Sequence, residues 1–546
     1  MSALRFDPAG LEVTPSAEVF GRFVAELDTL SLANLTDRLG ETYGERTAFV
    51  LEEPLALPGV TGSTTLSFAG LATVVRRTTA ALLRLGIGRG DRVVLCTRNR
   101  MELAVAEWAV VRAGAVGVPV GARLAAEQIA RIVADADASL VVADRWALEH
   151  PLRDARVTEL RRIVVDGPGD GAALGLADLI ASERDDAPPA AVTDADLALV
   201  FYTSGTTGVS KGVMLTHGNL MFATRNALRT MAMMGPPGRM LGVMVMPLAN
   251  TSGHQGLLLA IARGSSMIVL DRFDPGRILD VIEAHQVNLI SGTPTMYRLL
   301  WDAGAATRDL SSILSFGGGG DYFDLDLVNR FRALPRGAEN PAFFVTGYGM
   351  TETAGQVTQA FPSVERDGDL GIVIAGLEYR TVGEDGMPVP RGSVGELELK
   401  GPNVTRGYWN APEATAAAFH DGWLRTGDLV REGPEPRRLV FAGRAKDVIL
   451  SGGNTIYPPE IERVLLGHPD VARAAVVGLP DALLGETVVA AVEATPGRTL
   501  DTDALASWLA ERVAPYQRPR RIHVMELPTS ADLKVKRRLV AELLRG

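Results

Sequence analysis

Through the first 190 residues short apolar runs alternate with longer amphipathic segments, and this alternation restricts the fold more than any other feature. The runs DRVVLCT (91–97) and SLVVAD (139–144) are too short for helices and have no polar face, the pattern of strands covered on both sides. Around them, residues 73–85 and 101–113 repeat apolar positions at helical spacing. Strands that alternate with helices pair mainly in parallel, which predicts an α/β fold class. From about Val394 the texture changes to turn-rich, with strand candidates GELELKG and RLVFAG. Charged GRAKD (443–447) then precedes a stretch with its own strand and helix alternation. The predicted organisation is a large N-terminal domain of several subdomains over 1–442, a connector at 443–447 and a small α+β domain over 448–546.

Bulk properties exclude several classes of function. The 546 residues are 47% hydrophobic and 22% charged, which describes a globular chain with ample core. A formal charge of −10 argues against a nucleic-acid-binding surface. The single cysteine, Cys96, cannot form an internal disulfide and fits a reducing compartment. No apolar run reaches the ~18 residues that cross a bilayer, and MSALRFDPAGLEV lacks the basic-then-apolar order of a secretory signal. The expected location is cytoplasmic, with no integral membrane association and no nucleic-acid partner.

Residues 202–217, YTSGTTGVSKGVMLTH, crowd glycines and hydroxyl side chains around Lys211. The apolar stretch 198–203 reads as a strand entering this loop, and Thr216 as the cap of a helix with apolar positions at Leu220, Ala223, Ala227, Leu228 and Met231. The expected context is strand, loop, helix, in which backbone N–H groups converge on an anion. The spacing is not that of the common phosphate loop G-x-x-x-x-G-K-[ST], because Gly212 follows the lysine. Two more glycine-rich segments follow short strands, SFGGGGDYF (315–323) and FFVTGYGMTET (343–353). Alone, each is as compatible with a tight turn as with a ligand site.

The ordered set YTSGTTGVSKG, GYGMTET, WLRTGDL (423–429), GRAKDVILSGGNTIYPPEIE (443–462) and LPTSADLKVKRR (527–538) closely resembles the AMP-forming adenylating superfamily, which includes acyl-CoA synthetases, luciferases and peptide-synthetase adenylation domains. The resemblance covers nearly the whole chain. It implies ATP-dependent activation of a carboxylic acid to acyl-AMP with release of pyrophosphate, then transfer of the acyl group to the thiol of coenzyme A as a mobile C-terminal lid rotates. Two anions must meet in the first step, so positive charge and oriented donors are needed where they touch.

By that resemblance Thr203, Ser204, Gly205, Thr206, Thr207, Gly208 and Lys211 hold the β- and γ-phosphates of ATP. Gly318 and Gly319 lie along the adenine, where absent side chains admit the base. Tyr348 flanks the adenine, Thr351 contacts the α-phosphate, and Glu352 binds the Mg²⁺ that bridges the phosphates. Asp428 takes the ribose hydroxyls, with Arg444 beside it or reaching the phosphate. Lys446 is the hinge. Lys534 bridges carboxylate and α-phosphate, although Leu533 stands where the family usually has glycine, and Lys536 is the alternative. Ser451, Gly452 and Gly453 line the tunnel for the pantetheine thiol.

The acid-pocket segment is MPLANTSGHQG (246–256), with Asn250, Thr251 and His254 as candidates and Gly347 opposite. Asn250 stands where many acid–CoA ligases have histidine and where amino-acid activators have aspartate. A neutral amide supplies no counter-charge, so an α-amino acid is not expected. His254 reads equally as a pocket aromatic and as a core histidine. The small residues Ala249, Thr251, Ser252, Gly253 and Gly256 suggest room for a bulky fatty, aryl or alicyclic acyl group. Alternatives at this stage are transfer to a separate acyl carrier protein, adenylation of an unusual anion such as nitrite, a P-loop kinase, or a silent nucleotide-binding protein. The loop spacing opposes the kinase, and the filled Lys, Glu and Asp positions oppose the silent protein.

Overall fold

The computed structural model describes residues 16–51, 57, 63–153, 157, 159–181, 183–184, 187–203, 210–234, 240–361, 363–364, 366–495, 497–529 and 535–545. Four sheets organise them. In the first, Leu174–Gly175, Arg162–Val164, Leu140–Ala143, Arg92–Cys96, Val116–Pro119 and Leu197–Thr203 run side by side and parallel, and Lys211–Thr216 closes the edge antiparallel. The runs read as buried strands lie at its centre, every residue of Leu140–Ala143 being buried. A second sheet carries Phe343–Gly347, Ser315–Gly319, Leu289–Gly292, Leu241–Met244, Ser266–Val269 and Thr47–Leu51 in parallel, with Thr65–Ser67 antiparallel at the far edge.

The helix Met101–Arg112 is buried at every residue and belongs to the core shared by the two parallel sheets. A helix covered all round needs an answer for each polar group it carries. Arg112, 2% exposed, finds it in Asp37, whose Oδ2 lies 2.9 Å from Nη2. The helix expected at 73–85 runs Phe68–Arg84 and starts where the Ser67 hydroxyl accepts from the Gly70 N–H.

A third sheet is antiparallel, spans 358–444 and ends on Arg438–Arg444. One 3-10 turn, Ala445–Asp447, separates it from a fourth sheet over 449–524. Helices Pro458–Leu466, Thr502–Ala510 and Arg537–Arg545 accompany that last sheet. Across the turn, the Arg463 guanidinium lies 5.5 Å from the Tyr322 ring centroid. Arg537 pairs with Glu462 of its own unit and lies 3.8 Å from Asp447 of the turn. Among the described residues no helix is long and apolar enough to cross a membrane.

The lysine-bearing loop departs from expectation. A strand, not a helix, follows it: Lys211–Thr216 pairs back on Leu197–Thr203, with Thr203 opposite Lys211. The helix His217–Met234 begins only afterwards, and the Thr216 hydroxyl does accept from the Asn219 N–H at its start. The lysine therefore stands at the start of an antiparallel edge strand, with the helix beginning only at His217. The reason lies in KGVMLT, where Gly212, Val213 and Leu215 are buried and the β-branched and apolar positions suit a pleated edge.

His217 is 1% exposed, and burial holds its imidazole down from 6.5 to about 4 despite nearby Asp196 and Asp194. Between those pH values the unfolded chain binds a proton that the folded chain does not. Folding stability therefore falls as pH falls through this window, by up to about 3 kcal/mol. His285, also held down by burial, acts in the same direction. The check is thus a difference: urea midpoints at pH 7 and pH 5 should separate less in His217→Gln than in the parent protein.

Candidate active site

The carboxyl ends of both parallel sheets supply the candidate residues, the usual location of ligands in such folds. Thr203 ends one strand, and Gly319 and Gly347 end two others, facing each other in register. Glycine is enforced here by neighbouring atoms. A Cβ on Gly318 would strike the Phe323 ring, one on Gly347 the Thr358 carbonyl, and one on Gly349 the Gly355 carbonyl. The segment GYGMTET thereby folds into a short 3-10 turn over Thr351–Thr353, closed by Ala354 in the left-handed region at φ +50°. That turn projects Thr351 and Glu352.

Behind it stands a constellation centred on the buried Asp428. Tyr348 Oη donates to Asp428 Oδ2 at 2.6 Å, and Arg444 Nε lies 3.2 Å from Asp428 Oδ1. Asp428 and Arg444 are directly paired residues of neighbouring strands, so the sheet itself sets this spacing. Burial raises the Asp428 carboxyl above its ordinary range, and Arg444, Tyr348 and Lys446 oppose that rise. Burial, with Asp428 alongside, pushes the Tyr348 phenol well up, so it stays a donor. Lys446, in the 3-10 turn, is lowered chiefly by burial and lies close enough to feel Asp428.

Glu352 and Lys211 both contact Tyr408. The Tyr408 hydroxyl donates to Glu352 Oε1 at 2.9 Å, and Lys211 Nζ lies 5.1 Å from the centroid of the same ring. Glu352 is a hard oxygen donor, yet among the described residues no group of three or more His, Cys, Asp or Glu could hold a metal. Mg²⁺ is commonly bound through one or two carboxylates together with substrate phosphates. The donor set fits an ion that arrives with a nucleotide.

Ser204, Gly205, Thr206, Thr207 and Gly208 lie outside the described residues, as does Lys534. Lys536 is described; it is exposed, and its backbone N–H donates to the Pro528 carbonyl. Beside it, Arg537 feels the Asp321 carboxylate, next in sequence to the glycine segment 317–320. The flank of the lysine-bearing segment thus faces the large domain. Gly452 and Gly453 form the two-residue turn of a hairpin closed by Ser451 opposite Asn454, both glycines at positive φ, +56° and +78°. An added Cβ on Gly453 would meet nothing, and Leu450 beside the turn is 60% exposed, so this hairpin faces solvent.

The acid segment is only partly as expected. Asn250 is exposed at the start of the helix Thr251–Ala262, and Thr251 packs by its methyl near Gly355. Gly253 does not open space: a Cβ there would collide with the Pro247 carbonyl, so its smallness serves helix-to-loop packing. His254 is a core histidine, 4% exposed, edge-on to Phe201 with 5.8 Å between centroids. Its Nδ1 lies 2.7 Å from Glu107 Oε1. Among the described residues His254 Nε2 and Trp108 Nε1 have no hydrogen-bond partner, and both side chains line a void of about 10 Å³ shared with Leu103, Leu248 and Leu257. Of the two readings, pocket aromatic and core histidine, the burial of His254 fits the second, and its partner Glu107 sits on the helix Met101–Arg112. Neither Glu107 nor Tyr408 was singled out from sequence; the available signals were a carboxylate inside the apolar stretch 101–113 and adjacent aromatics in RGYWN (406–410).

The family model for AMP-binding enzymes matches residues 37–409, and that for the AMP-binding enzyme C-terminal domain matches 460–534. The chain is 35% identical over 483 residues to a feruloyl-CoA synthase of Amycolatopsis sp, covering 87% of this chain and 93% of that protein. It is 32% identical over 502 residues to 2-succinylbenzoate–CoA ligase of Geobacillus kaustophilus, covering 91% and 96%. The crystal structure of ATP-bound MatB from Rhodopseudomonas palustris superimposes with a TM-score of 0.82 at 28% identity, covering 94% of this chain and 99% of that one.

Proposed function

We propose, from the premise that this chain belongs to the AMP-binding enzyme family and is an AMP-forming acid–CoA ligase, that its acid is a ring-bearing, aromatic carboxylate. The observation that carries the site assignment is the convergence of Lys211, Glu352 and the Tyr348–Asp428–Arg444 constellation around one region. The feruloyl and succinylbenzoate relatives both bear aromatic acids in their names, which supports the substrate class. Asn250, neutral and exposed, offers no counter-charge to an ammonium, in keeping with an acid that carries none.

In this reading Asp428 accepts both ribose hydroxyls, and Tyr348 lies by the base. The glycine hairpin and Lys211 receive the β- and γ-phosphates, and Glu352 receives Mg²⁺. The ion supplies charge neutralisation among the phosphates as the two anions approach. Lys534, brought in by the small domain, holds the acid carboxylate against the α-phosphate. One carboxylate oxygen forms a bond to the α-phosphorus as pyrophosphate leaves. Rotation about Lys446 then withdraws Lys534 and brings in the hairpin of Ser451, Gly452 and Gly453, where the CoA thiolate attacks the acyl carbon and AMP departs. Such rotations let one site serve two half-reactions. The lone cysteine and the need for ATP and CoA support a cytoplasmic location.

The test is pyrophosphate release over aromatic, fatty and alicyclic acids and nitrite, with CoA, with a free acyl carrier protein, or with neither. The expected outcome is the largest kcat/KM with aromatic acids and thioester only with CoA. Preference for a saturated fatty acid or nitrite, or transfer confined to the carrier protein, would overturn the substrate or acceptor assignment.

A further inference from the structure

Tyr408 touches two groups of opposite charge, Lys211 and Glu352. Among the described residues Lys211 has no carboxylate at ion-pair distance, and Glu352 has no basic partner. Each meets Tyr408 instead, the ammonium at the ring and the carboxylate at the hydroxyl. The backbone fixes this arrangement. Val213 bridges Tyr408 antiparallel, with the Met214 N–H donating to the Gly407 carbonyl and the Trp409 N–H to the Gly212 carbonyl. The segment 405–409 is thus held against Lys211–Thr216 by one antiparallel bridge and its flanking hydrogen bonds. Its other end holds the metal-side turn, because the Thr405 N–H donates to the Glu352 carbonyl at 2.7 Å. Thr405 Oγ1 also donates to the Met214 carbonyl, tying the same segment back to the hairpin.

We propose that Tyr408 is a positioning residue that keeps Lys211 and Glu352 apart and correctly aimed, so that both are available when Mg²⁺·ATP arrives. This inference rests on the reading of Lys211 and Glu352 as the phosphate and metal groups. The physical logic has two parts. A cation over an aromatic face is attracted without being neutralised, so Lys211 keeps its full charge for phosphate. A hydroxyl that donates to one carboxylate oxygen leaves the other oxygen and the remaining lone pairs to a metal. Outer partners of this kind typically tune metal affinity by about 10- to 100-fold.

The test is calorimetric binding of a non-transferable ATP analogue, α,β-methylene-ATP, across a Mg²⁺ titration. No turnover is involved. Tyr408→Phe keeps the ring and removes the donor. It is expected to shift the Mg²⁺ dependence to about tenfold higher concentration, with Mg²⁺-free analogue binding unchanged. Tyr408→Leu also removes the face and is expected to weaken Mg²⁺-free binding as well, as Lys211 collapses onto Glu352. AMP, which lacks the distal phosphates, should bind all three proteins alike and reports an intact fold. Combining Tyr408→Phe with Glu352→Gln should add nothing to Glu352→Gln alone. A wild-type Mg²⁺ dependence in Tyr408→Phe would overturn the role of Tyr408, whereas a wild-type dependence in Glu352→Gln would overturn the underlying metal assignment. An additive double variant would likewise show that Tyr408 does not act through Glu352.

Discussion

Lys534→Ala should abolish pyrophosphate release with every acid while largely sparing thioester formation from supplied acyl-adenylate. The ammonium is needed only while two anions are forced together, and removing one such preorganised group costs about 10²- to 10³-fold or more. Once the adenylate exists, the charge to be stabilised has moved to the acyl carbonyl and the departing AMP, and in the proposed rotation Lys534 leaves with the small domain. A parallel variant separates the two candidate lysines. Lys536 is exposed and its backbone is held by Pro528, so Lys536→Ala should leave both half-reactions near the parent values. Single-turnover pyrophosphate release, and CoA consumption with synthetic acyl-AMP, measure the two steps separately. Normal pyrophosphate release by Lys534→Ala would sink the assignment, and loss of it in Lys536→Ala would transfer the role two residues along.

Legibility of the fold in the sequence follows burial. Strands such as Arg92–Cys96 and Leu140–Ala143 are apolar at every covered position, and periodicity identifies them within a residue or so. The strand Lys211–Thr216 was missed because its signal sits beside a loop whose composition suggested a helix start. Only pairing with Leu197–Thr203, a tertiary fact, distinguishes the two. Side-chain chemistry in ordered motifs was legible wherever a motif dictates geometry: Tyr348 precedes Asp428 by 80 residues and still converges with it and Arg444. His254 was ambiguous because its partner, Glu107, lies on a different helix, and a residue's burial depends on what folds over it. Tyr408 has no polar pattern around it to announce a role. The role proposed for it comes from its contacts with both Lys211 and Glu352, which no local spacing encodes.

Asp428→Ala should impair both half-reactions, and this sets it apart from Lys534→Ala. The ribose is present in ATP and in acyl-AMP alike, so a group that holds it acts throughout. Asp428 accepts from Tyr348 at Oδ2 and faces Arg444 at Oδ1, so both of its oxygens are placed as acceptors. Two hydrogen bonds to a charged acceptor are worth about 3 to 6 kcal/mol together, or about 10² to 10⁴ in kcat/KM for ATP. Substrate analogues give the sharper readout. The parent enzyme should discriminate strongly against 2′-deoxy-ATP, and the variant should lose that discrimination, because the partner of the missing hydroxyl is gone from the protein. Equal discrimination in both proteins would place the ribose elsewhere. The acid limb of the pH profile follows from the same residue. Its carboxyl is raised above 3.8 by burial, and only the ionised form accepts both hydroxyls. KM for ATP should therefore climb as pH falls through that raised value, earlier than for an ordinary aspartate, and the climb should be absent from Asp428→Asn.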